Sequence, residues 1–120
     1  MSEARTYEGS CHCGAVQFTA QLDLSEPVMA CNCSICSRAG WLLTFVPEAS
    51  VQVTSGRDQL TDYQFGKKQL HHVFCRVCGI HAFCQGAGPD GAMMYAVNAR
   101  CLAGVDPEAL QVTRYDGKSL

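Results

Sequence analysis

Val16, Phe18, Ala20 and Leu22 alternate with Gln17, Thr19 and Gln21, the period of a strand with one buried face and one wet face. Shorter apolar runs bounded by turn residues predict further strands. They fall at 41–46, closed by Pro47, at 51–54, closed by Ser55 and Gly56, and at 60–65, 70–74, 80–84, 93–99 and 112–115. Helical spacing lasts no more than a turn or two, at 34–39 and at 107–110, where Pro107 suits a first helical turn. The glycine-rich stretch 86–91 reads as a loop between strands, and no repeat or low-complexity tract interrupts the pattern. Together these signals predict a mainly β fold of folded antiparallel sheets with only short helical turns.

A chain of 120 residues that is 48% hydrophobic and 17% charged has the size and composition of one folded domain, 1–120, with its own core. The formal charge of −2 carries no basic excess, so no nucleic-acid partner is expected. The polar opening residues and the lack of any apolar run near about 18 residues predict neither a secretory signal nor a membrane span, which makes the cytoplasm the expected address.

Nine cysteines change the picture. An odd number leaves one thiol over in any closed disulfide framework, and in a reducing compartment clustered cysteines more often hold zinc. Seven of the nine fall in three groups: Cys11 and Cys13; Cys31, Cys33 and Cys36; Cys75 and Cys78. Cys75-Arg76-Val77-Cys78-Gly79 has the form of a two-thiol turn, in which the glycine relieves a positive φ while two sulfurs converge on one ion. Seven is one short of two closed tetrahedral sites. Four ligands enclose one ion, and three leave a second with an open position, the arrangement of a catalytic zinc. Cys31, Cys33 and Cys36 are close enough in sequence to cap one ion from a loop entering a short helix, whereas spacing alone does not decide how the remaining pairs combine.

Cys84 and Cys101 stand alone and are expected in the core. His12, His71 and His72 are expected to be satisfied or exposed, and Trp41 to be core. His81, three residues past Cys78, is a candidate for a place near a metal, with a structural role the bland alternative. Arg38, at the end of the short helix, is a candidate contact for an anionic substrate, or merely a solvated cation.

The segments 9–16, 31–40 and 74–83, with Gly9-Ser10-Cys11-His12-Cys13-Gly14, Cys31-Asn32-Cys33-Ser34-Ile35-Cys36 and Phe74-Cys75-Arg76-Val77-Cys78-Gly79-Ile80-His81 as their cores, resemble the glutathione-dependent formaldehyde-activating enzymes and their centromere protein V-like relatives. Residues 95–102 and Tyr115-Asp116-Gly117 extend the likeness to residue 117. The resemblance implies an Mss4-like fold with two zinc ions. It assigns Cys11, Cys13, Cys75 and Cys78 to a structural zinc, and Cys31, Cys33 and Cys36 to a second zinc with an open position, where the chemistry is done. Asn32 stands where many members carry histidine. The implied activity is that of a carbon-sulfur lyase, forming or cleaving S-(hydroxymethyl)glutathione from a small thiol, glutathione, and a small aldehyde, formaldehyde. A basic residue such as Arg38, Lys67, Lys68 or Arg100 is then expected to reach the glutathione carboxylates. The competing class is a zinc-stapled binding module that presents a surface to a macromolecular partner.

Overall fold

The computed structural model describes residues 4–65, 70–88 and 90–119. Lys67 and Lys68 lie outside them. Ten strands, one α-helix and several single turns make up the described chain: β1 (Arg5–Ser10), β2 (Gln17–Leu22), β3 (Val28–Cys31), α1 (Ser34–Ala39), β4 (Leu43–Pro47), β5 (Val51–Ser55), β6 (Leu60–Tyr63), β7 (Leu70–Cys75), β8 (Phe83–Ala87), β9 (Met93–Asn98) and β10 (Val112–Tyr115). No helix among the described residues is long and apolar enough to cross a membrane.

A three-stranded sheet of order β1-β2-β5 faces a seven-stranded sheet of order β10-β3-β4-β9-β8-β7-β6. The alternation that predicts β2 is the alternation that buries it: Phe18, Ala20 and Leu22 point inward and Gln17 and Gln21 outward. Between the sheets Phe18 meets the Phe83 ring edge-on, at 5.5 Å between centroids and 83° between planes, and Val16, Leu22, Val28 and Val97 complete the packing. Aromatic pairs prefer this arrangement because a positive ring edge meets a negative face.

Strands β8 and β9 bury both faces. Phe83, Tyr95 and Val97 belong to the main core, whereas Cys84 and Ala96 pack with Trp41 and Leu43 in a second cluster, against which Ile35 and Cys36 lean. The central sheet therefore carries the core on one side and the floor of the three-cysteine loop on the other.

Several boundaries depart from the pattern. β1 has almost no apolar alternation and is held by its ladder to β2, from Arg5 opposite Leu22 to Ser10 opposite Gln17. β3, only four residues long, also escapes the pattern. Trp41 and Leu42 are buried but precede β4. The run expected at 80–84 begins its strand at Phe83, because the Ile80 carbonyl is already committed to the Cys75 amide, closing the two-thiol turn. β10 sits where it is expected, yet it runs parallel to β3, with Val112 opposite Val28 and Tyr115 opposite Cys31, the one parallel pairing among the described residues of a predominantly antiparallel fold. At 107–110 a single turn forms over Pro107–Ala109, with the Asp106 side chain accepting from the Glu108 amide.

Candidate metal centres

β1 ends at Ser10, and the loop that follows brings Cys11 and Cys13 beneath the turn that ends β7. There the Sγ atoms of Cys11, Cys13, Cys75 and Cys78 all lie within 4.8 Å of one another. Cys11 and Cys13 are separated by 3.7 Å, and Cys13 and Cys75 by 3.6 Å. Four thiolates about 2.3 Å from a tetrahedral zinc stand about 3.8 Å apart, so this spacing fits the ion. Backbone amides support the negative charge: Val16 donates to the Cys11 sulfur and Val77 to the Cys75 sulfur, each at 3.4 Å. The Cys78 thiol is drawn down to about 6, first by the Cys13 amide, against the cost of burial and with help from the Ile80 amide. The Cys78 amide likewise lowers Cys75. For Cys13 the Ala15 amide pulls downward, but lost hydration and three neighbouring sulfurs outweigh it and raise the thiol to about 11. A metal ion replaces this contest by deprotonating all four. Gly79 takes φ +80 just after Cys78, the backbone state the two-thiol turn demands of a residue without a side chain.

The second group belongs to β3 and α1. Cys31 ends β3, Cys33 is the residue capping α1, and Cys36 lies within its first turn. Their sulfurs are also mutually within 4.8 Å, and all three residues are half-buried. The Cys33 amide donates to the Cys31 sulfur at 3.4 Å. Despite burial, the Cys33 thiol is lowered by the Cys36 amide and by the Cys36 and Cys31 thiols. Cys36 is pushed up to about 12 by burial, the Trp41 N–H opposing and the Cys33 sulfur adding to the rise. That indole N–H is buried with no partner at hydrogen-bond length, an orphaned donor beside a sulfur that a metal would render anionic.

The C-terminal segment backs this loop. A Cβ on Gly117 would stand 2.6 Å from the Cys31 Sγ and 3.3 Å from the Cys33 Cβ, so only glycine fits there. Asn32 donates to Asp116 at 2.9 Å, accepts from the Lys118 amide at 2.9 Å, and gives its own amide to the Tyr115 carbonyl. The sulfurs thus converge in the two groups that the resemblance implies, four and three, and both could hold metal ions.

Two cavities meet at the three-thiol loop. One, of about 460 Å³, is lined by Cys31, Asn32, Cys36, the cations Arg100 and Arg114 and the carboxylate of Glu108. The other, of about 610 Å³, is lined by all three cysteines and by apolar side chains. Arg100, expected from the sequence, turns its Nε to the Gly40 carbonyl at 3.1 Å. Arg114 is missed by sequence reasoning. Only its place on β10, whose parallel partner ends in Cys31, brings it here.

Arg38 and His81 come together elsewhere, in a cavity of about 570 Å³ on the outer side of α1, with Tyr63 and Phe65. Arg38 bonds the Ser34 carbonyl at 2.8 Å. His81 donates from Nδ1 to the Val73 carbonyl at 3.0 Å and packs edge-on against Trp41. Burial first, then the nearby His72, lowers its pKa. His71 pairs with Asp62 at 2.6 Å, His72 bonds the Tyr63 carbonyl at 3.1 Å, and His12 is exposed. Cys84 is buried as expected, its thiol raised to about 12 by lost hydration and then by Cys36. Cys101 is only half-buried, against the edge of the core rather than within it, and is raised to about 11.

A folded pair of sheets carrying one four-thiol and one three-thiol cluster defines a small cysteine-rich β domain of the Mss4-like kind. The family profile described as "Glutathione-dependent formaldehyde-activating enzyme" matches residues 6–114, and the chain belongs to that family. A "putative glutathione-dependent formaldehyde-activating enzyme" of Halomonas elongata is 36% identical over 61 residues, a stretch covering 48% of this chain and 39% of that one. The crystal structure of a Rhodobacter sphaeroides protein superposes with a TM-score of 0.76 at 34% identity, covering 88% of this chain and 99% of that one.

Proposed function

We propose that Cys11, Cys13, Cys75 and Cys78 hold a structural zinc, that Cys31, Cys33 and Cys36 hold a second zinc with a free position, and that the protein forms and cleaves S-(hydroxymethyl)glutathione there. The observation that carries this reading is the inequality of the two clusters: four convergent thiols at one, three half-buried thiols facing cavities at the other. When bound, the second zinc supplies a free coordination position at which an incoming thiol is favoured in its ionised form near neutral pH.

The chain's own residues do the positioning. Gly117 and Asn32 support the loop, and Arg100 and Arg114, which line the cavity beside Cys31 and Cys36, are the cations available to the carboxylates of glutathione. A divalent ion within three thiolates carries a net negative charge, which weakens Lewis acidity and leaves orientation as the larger contribution. Thiols add to formaldehyde unaided, so orientation is enough. Exchange NMR of the glutathione–formaldehyde adduct tests the reading. Exchange faster with the protein, and returned to background by Cys33→Ser, supports it. Equal rates with and without protein remove the enzyme and leave a metal-stapled module. Removing either guanidinium, by Arg100→Ala or Arg114→Ala, is expected to raise the KM for glutathione about 10- to 150-fold with little change in kcat, since a charge-assisted contact contributes about 1.5 to 3 kcal/mol.

A further inference from the structure

The larger of the two cavities at the three-thiol loop is floored by strands β4, β9 and β8. Phe45, Ala96 and Cys84 lie directly opposite one another across β4, β9 and β8, a row with a small residue at its centre. The next row sets Met94 opposite Gly86, which has no side chain. Small residues on this floor hollow the sheet face, and Met29, Trp41, Leu43 and Leu70 raise apolar walls around it. The polar wall groups are few, and the His72 Nδ1 is already bonded to the Tyr63 carbonyl. Phe45 and Leu70, at 49% and 50% exposure, hold apolar surface to water at the rim.

Formaldehyde has two heavy atoms, whereas about 610 Å³ lies in the range that encloses a much larger ligand. We propose, on the basis of the lyase reading above, that besides formaldehyde this protein takes a second class of carbonyl substrate, an aldehyde with an apolar chain or ring of roughly five to eight carbons that fills this cavity while its carbonyl carbon meets the thiol at Cys31, Cys33 and Cys36. The reaction is an addition. The thiol sulfur bonds to the carbonyl carbon, the π pair passes to oxygen, and the thiol proton ends on that oxygen; cleavage reverses each move. The polar cavity of Arg100 and Arg114 takes the polar thiol, and the apolar cavity takes the tail of the aldehyde. Each CH2 buried in such a wall tightens binding about fourfold.

Trp41, the sole tryptophan, is 3% exposed and stands on the cavity wall, so its fluorescence reports occupancy independently of catalysis. Metal-loaded protein is titrated with methanol, 1-butanol, 1-hexanol and 1-octanol, and adduct exchange is followed by NMR with formaldehyde and with hexanal. The expected result is a Kd that falls about fourfold per methylene as far as six to eight carbons, and a KM far lower for hexanal than for formaldehyde. Phe45→Ser, at a rim position already half in water, is expected to weaken 1-hexanol at least tenfold and leave formaldehyde exchange unchanged. Ala96→Val, which fills the floor, is expected to shorten the favoured chain. A Kd independent of chain length, or a hexanal KM no lower than that of formaldehyde, overturns the proposal. Catalysed formaldehyde exchange beside a flat alcohol series does so while the lyase reading stands. A graded alcohol series with no catalysed exchange of any aldehyde overturns the lyase reading, and the substrate assignment with it.

Discussion

Gly117 and Asn32 do for the second metal group what the cysteine spacing alone does not: they fix where three sulfurs converge. A methyl group on Gly117 would press on the Cys31 sulfur and force the loop or the C-terminal turn to shift. Gly117→Ala is therefore expected to weaken zinc at this group about 10- to 100-fold, the usual effect of disturbing the residues behind a ligand, while the four-thiol group keeps its ion. Competition against a chromogenic chelator separates the two. The cysteines themselves are legible from the sequence because metal-binding turns need short, fixed spacings. The roles of Gly117 and Arg114 are not, although the family likeness reaches residue 117, since what makes them matter is contact across some 80 residues of chain. His81 offers a pH test. Its folded pKa lies below its ordinary 6.5, so the native state binds fewer protons than the unfolded state in the window beneath that value. The contribution is complete above pH 6.5 and is lost as pH falls through the folded pKa. Between pH 7.5 and 5.5 the melting temperature of His81→Gln is expected to fall less than that of the unaltered protein. Equal slopes would mean that the ring is not held neutral.

At the scale of elements, strands with one wet face are readable and strands held by their ladders are not. β2 announces itself by alternation, and β10 by its apolar and β-favouring run. β1, with Arg5, Glu8 and Gly9 among its six residues, carries no such signal and exists because β2 offers it a full antiparallel register. The parallel seating of β10 on β3 is equally silent, since period-2 alternation does not encode direction. Yet this pairing matters most to the second metal group, because it delivers Tyr115 to Cys31 and, just beyond, Asp116 to Asn32. Removing residues from Val112 onward is expected to abolish zinc at the three-thiol group and spare the four-thiol group. Zinc per chain then drops from two to one by colorimetric release, and a truncated chain that still holds two would show that β10 does not support the loop.

On the reading proposed above, in which each cluster holds a zinc, the two clusters play different mechanical parts across the whole molecule. Cys11 and Cys13 follow a strand of the three-stranded sheet, and Cys75 ends β7 of the other with Cys78 in the turn after it, so the four-thiol group brings together segments 62 residues apart in sequence. The three-thiol group spans only residues 31–36 and rests on a sheet face that is already formed. A structural zinc contributes about 10 to 16 kcal/mol, as much as the whole net stability of an ordinary domain at about 5 to 15 kcal/mol. Losing the tie between the sheets should therefore unfold the protein. Losing the other ion frees the loop of residues 31–36 while the sheet beneath it stays, and each kcal/mol so lost moves Tm by about 4 °C in a chain of this size. Cys75→Ser is expected to abolish the cooperative melting transition, and Cys33→Ser to keep it near its original temperature with one zinc bound. Graded chelation should show the same order: a first ion leaves with the far-ultraviolet spectrum intact and adduct exchange gone, and a second leaves as the β signal collapses. If the spectrum collapses with the first ion, the three-thiol group is a second staple, and the division of labour between the clusters fails.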